Sequence, residues 1–153
     1  MVAPLLVAKF RHIFIAIVGL GTSAGLGVVL EFYGDDPEHG AFVLRAIRRV
    51  EHLVVLPAYV LMLATGLWMV DLAWPLRFHW LQAGLALWAV GLVLFAGYLP
   101  VLRKQIEAFE REGSTSARYQ SLSRWGRVLG AAGGLVVAVI VWLMVTKPEL
   151  AYW

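Results

Sequence analysis

Four long apolar stretches organise the chain. They run Ile13 to Leu30, Leu53 to Val70, Trp80 to Leu102 and Val128 to Thr146, and none contains Asp, Glu, Lys or Arg. A helix needs about 20 mostly apolar residues to cross ~30 Å of hydrocarbon. None of the stretches alternates as a barrel strand would, and in lipid a helix satisfies every backbone N–H and C=O internally. The pattern predicts an all-α fold, a four-helix transmembrane bundle with antiparallel up-down neighbours. It forms a single integral membrane domain, 1–153, with helices at about 5–31, 47–71, 77–108 and 121–147.

The polar intervals set the connections. "DLAWPLRF", 71–78, is short and makes a hairpin of the second and third helices. "EFYGDDPEHG" carries Gly34, Asp35, Asp36, Pro37 and Gly40, all of which favour turns. The amphipathic "AFVLRAIRRVEH" after it begins the second helix ahead of the membrane. Between the third and fourth apolar runs, 103–124 reads as a polar helical extension, a "GSTS" break with a Ser or Thr cap, and a basic approach to the last helix. Pro57 lies inside the second helix and is expected to kink it. The charges of "MVAPLLVAKFRH" follow an apolar opening, so the first helix is expected to be retained and not cleaved as a signal peptide.

Composition confirms the solvent: 61% hydrophobic residues, 15% charged and 7 Trp in 153 residues, with a mean hydropathy of +0.77, belong to a membrane protein. With no cysteine, disulfides, thiolate metal sites, iron–sulfur clusters and covalent c-type haem attachment are excluded. The net charge of +3 does not point to nucleic acid, because the basic residues flank membrane segments, where they set orientation and meet anionic lipid. Arg45, Arg48, Arg49, Arg103, Lys104, Arg111, Arg118, Arg124 and Arg127 lie on one side, Lys9, Arg11, Arg77 and Lys147 on the other. That 9 to 4 excess places the first and third loops in the cytoplasm and both termini outside, in a bacterial inner membrane.

Small residues recur at helical spacing: Gly126, Gly130 and Gly134 in the last helix, Gly21 and Gly25 in the first. Such stripes allow close helix packing, within the chain or in a homo-oligomer. They also suit the wall of a flat cofactor. On the first helix His12 is followed at spacings of four and three by Ala16, Gly19 and Ser23, so the imidazole heads a small-residue groove.

Alternating helix direction puts His12, His79 and Lys147 at one membrane face. At ~1.5 Å per residue, an 18-residue core separates them from His52 by roughly 27 Å. His39, in an acidic turn, reads as a solvated loop residue, and His52, after Glu51, as an interfacial ion-pairing one. A membrane-embedded imidazole with apolar helices around it and cations at the interface can ligate haem iron while the cations neutralise the propionates. His12 is the candidate axial ligand; Lys9 or Arg11, with Arg77, would meet the propionates. The second metal ligand is His79 or a Lys147 deprotonated by burial. A bare metal ion is disfavoured, because Asp71 and Glu149 are the only carboxylates in this layer. The same residues also have structural readings: Lys9, Arg11 and Lys147 as snorkelling anchors, and His79 as an interfacial imidazole beside Trp80.

"KFRHIFIAIVGLG", "RRVEHLVVLPAYVLMLATGLWM" and "VIVWLMVTKP" resemble an uncharacterised bacterial family of four-helix predicted integral membrane proteins. That family is similar to the HemJ-type protoporphyrinogen oxidases and, more loosely, to CopD-type membrane domains. The resemblance spans about Leu6 to Pro148 and includes the proline and glycine of the second helix, Pro57 and Gly66. It implies a b-type haem site in which His12 and Lys147 match the essential His and Lys of the HemJ type. Two segments depart from that pattern: "GLGVVLEFYG" replaces an aromatic, basic run ending in His, and "LGAAGGLV" stands where an Asn-Glu-Pro motif is usual. The expectation is a b-haem-binding membrane protein, redox-active or handling haem or porphyrin, possessing a membrane redox partner. Its alternatives are a divergent protoporphyrinogen oxidase and a cofactor-free assembly subunit.

Overall fold

A computed structural model describes residues 2–148; Glu149 lies outside them. Five helices follow in order: α1 (Val2–Tyr33), α2 (Gly40–Val50), α3 (Leu56–Ala73), α4 (His79–Glu112) and α5 (Ala117–Thr146). One π-turn, Glu51–Val55, joins α2 to α3 without a break. There are thus four rods, α1, α2–α3, α4 and α5, each long and apolar enough to cross a membrane. The chain is an all-α membrane bundle.

The π-turn has a local cause. Pro57 lacks the N–H that would continue the ordinary ladder, and the Leu56 N–H reaches back five residues to the Glu51 carbonyl. The proline therefore enters α3 in its first turn. The register shift turns Glu51 inward.

The third connection is tighter than the sequence pattern suggests. Arg103 to Glu112 continue α4, which ends at Gly113 with φ 82°, the left-handed conformation that favours glycine. Ser116 then caps α5 by accepting the Tyr119 N–H at 3.2 Å. In the first connection Asp36 Oδ1 accepts the Glu38 and His39 N–H groups at 2.9 and 2.7 Å. These bonds, His39 first, hold the Asp36 carboxyl below the usual carboxylate range.

Helix α1 packs on α3, α4 on α5, and the amphipathic α2 crosses α4. The best-buried cluster is Leu44 and Ile47 of α2, Leu102, Ile106 and Phe109 of α4, and Tyr119 of α5. It sits at the end carrying the first and third connections. Apolar side chains gain little from clustering in lipid, whereas near the interface water drives them together. Tyr119 meets Phe109 edge-on at 5.3 Å and donates its hydroxyl to the buried Gly34 carbonyl. Tyr119→Phe is therefore expected to cost about 1–2 kcal/mol in a denaturant titration in detergent, by leaving that carbonyl unpaired. On the same face Arg45–Glu110, Arg103–Glu107, Arg118–Glu112 and Arg127–Glu31 form exposed ion pairs.

Candidate functional site

Helices α1 and α3 meet along the face that His12 begins. His12 Nδ1 lies 2.9 Å from Thr65 Oγ1, and the Thr65 hydroxyl donates to the Leu61 carbonyl at 2.7 Å. Because the hydroxyl spends its proton on α3's own backbone, it serves His12 as an acceptor, and this network assigns the proton to Nδ1. Nε2 then carries the free lone pair. Gly66 adjoins the ring: a Cβ there would stand 3.4 Å from His12 Cε1, in ordinary van der Waals contact.

The groove expected ahead of His12 is filled by α3. A Cβ on Gly19 would meet the Ala58 Cβ at 2.5 Å, so Gly19 is a helix contact and leaves no gap for a flat ring. Ser23 Oγ donates to Glu51 Oε1 at 3.3 Å. Small residues at helical spacing reveal a close approach but not what approaches.

Lys9 and Lys147 come together on one indole. Their Nζ atoms stand 4.9 and 4.1 Å from the Trp74 ring centroid, and Lys147 is also 5.7 Å from Trp80. Burial, and then the neighbouring Lys9 ammonium, lower Lys147 below the ordinary lysine range. Lys147 caps α5 at φ 41°, a left-handed conformation unusual for a side chain with a Cβ. Arg11 lies over Trp68 at 5.9 Å and Arg77 over Phe78 at 5.8 Å. Among the described residues none of these four cations pairs with a carboxylate, whereas four of the nine on the opposite face do. His79 is exposed at the start of α4. The structure therefore brings His12 to Thr65 and Gly66, and Lys9 to Lys147, on the same side of the bundle. Among the described residues no three His, Asp or Glu side chains converge as a metal-ion site.

Between the α1–α3 pair and the α4–α5 pair lies a cavity of about 490 Å³. Glu51, Tyr59, Tyr98, Gly130 and Gly134 help to line it, and no histidine does. Glu51 is only 3% exposed and turned inward, so it is not an interfacial partner for His52, the residue expected to ion-pair there. His52 is exposed, its Nδ1 2.8 Å from the Arg48 carbonyl. The sequence pattern does not single out Thr65, Trp74 or the inward Glu51. A lone threonine just before a glycine in an apolar run was the available signal for Thr65.

No curated protein and no solved structure matches the chain. Residues 6–148 match a family described as "Predicted integral membrane protein (DUF2269)", and the chain belongs to that family.

Proposed function

We propose that this protein binds b-type haem in the membrane, with His12 Nε2 as an axial ligand. One observation carries the reading: an intramembrane imidazole whose Nδ1 is engaged by Thr65, which leaves Nε2 as the unprotonated nitrogen. Metal-bound histidines are held in this manner, with the second nitrogen fixed by a hydrogen bond. The carboxylate-free cations nearby suit propionates, with Lys9 and Lys147 as the leading pair. Bound haem would supply one-electron redox chemistry. The filled α1–α3 seam gives Gly19 a packing role and removes it from the set that would touch the ring. The resemblance of the sequence to HemJ-type proteins implies roles at such a site for His12 and Lys147.

The test is an absorption spectrum of protein purified in detergent from haem-replete cells. A Soret band and a b-type pyridine haemochrome are expected; their absence would overturn the proposal. Thr65→Val keeps the ligand but frees the ring, and is expected to weaken haem retention roughly 10–100-fold, the usual effect of losing an outer-shell partner. The two neighbouring ammonium groups also favour a second reading, in which they hold the carboxylates of a porphyrinogen substrate. Rescue of a strain lacking its own porphyrinogen oxidase by wild type, and not by Lys147→Gln, is the outcome that reading requires.

A further inference from the structure

We infer that the cavity between the two helix pairs is a separate binding site for a lipid-soluble quinol, whose hydroxyl donates to Glu51. Glu51 Oε1 accepts from Ser23, but among the described residues Oε2 is buried and has no hydrogen-bond partner. A buried carboxyl oxygen without a partner is costly and is seldom left so without a reason. It lies on the π-turn, a distortion that recurs at functional sites, and it faces the cavity.

The walls fit a flat ring. A Cβ built on Gly130, Gly133 or Gly134 would meet nothing within 4 Å, so this glycine stripe is open wall, not packed interface. Elsewhere in the lining, Tyr59 and Phe95 stack at 5.5 Å with their planes 13° apart. At about 490 Å³ the space falls in the range of small-molecule pockets.

Charge selects a neutral ligand. The Glu51 carboxyl inside disfavours an anion. An organic cation would meet Arg127 in the lining, where, among the described residues, the one other carboxylate, Glu31, is already paired with Arg127 at 3.4 Å. A molecule with an apolar ring and tail and a hydroxyl to donate meets every wall. The site is independent of the haem reading, since no histidine lines it.

The probe is decylubiquinol, kept reduced, added to wild-type protein in phosphatidylcholine nanodiscs, with empty nanodiscs subtracted. Trp88 lies 6.2 Å from Tyr59 and provides the fluorescence signal. Saturable quenching is expected. Gly130→Leu and Gly134→Leu, which grow into open space, are expected to weaken it at least tenfold, and so is Glu51→Ala. Glu51→Gln retains an acceptor and is expected to stay within threefold, and His12→Ala is expected to bind as wild type. Equal quenching in wild type and both leucine variants would overturn the site. Saturable ethidium binding that Glu51→Gln abolishes, without saturable quinol binding, would overturn the ligand class and assign the carboxyl to an organic cation.

Discussion

His12→Ala is expected to leave no Soret band in protein that still inserts and purifies, the largest functional change of any single substitution here. The imidazole is half-buried in the membrane, and its Nδ1 is tied to Thr65. Alanine removes the only histidine that α1 contributes. His52→Ala is the control: that ring is exposed on the opposite face, bonded to its own helix, and its loss is expected to leave the spectrum unchanged. Lys147→Gln separates the two tasks at the site. If Lys147 meets a propionate, as proposed, haem retention weakens and the Soret position is unchanged; a shifted Soret band would make Lys147 the second axial ligand instead. A Soret band that survives His12→Ala and vanishes with His52→Ala would reject the placement of the iron.

The second large effect is on the bundle itself. Gly19→Leu should destabilise the protein by about 3 kcal/mol, at the upper end of overpacking costs. Even the first added carbon would lie 2.5 Å from the Ala58 Cβ, and the backbone Cα behind it is at 3.9 Å. Neither can yield without α1 and α3 separating, which would also pull His12 from Thr65. Gly130→Leu is the matched control in α5, with nothing within 4 Å of the new Cβ, and should stay within ~0.5 kcal/mol of wild type. Both are read as unfolding midpoints in a detergent titration. If the two glycines respond alike, the assignment of one to a helix contact and the other to a cavity wall is wrong.

The contrast between these glycines shows how far the sequence reaches. Both occur in small-residue stripes of apolar helices, and the stripes look alike as patterns. One is closed by Ala58 and the other borders open space because of where α3 and α5 lie, which no helical period encodes. Glu51 makes the same point. In "RRVEH" the pattern marks His52 as an interfacial ion-pairing residue and assigns no role of its own to Glu51. The π-turn forced by the nearby Pro57 turns it to Ser23 and the cavity instead.

By itself the sequence determined the all-α class and the four spans, because an uncharged apolar run of that length has few solutions in lipid. It also placed His12 in the membrane on the side that carries Lys147, since depth follows from helical rise and alternating direction. Only the tertiary structure decided what each face meets. It gave His12 to Thr65, set Lys9 and Lys147 on one Trp74 ring, and opened a cavity between the helix pairs. These are contacts between residues far apart in the chain. Their partners are chosen by how whole helices pack, and the local pattern reports only that a face exists to be covered.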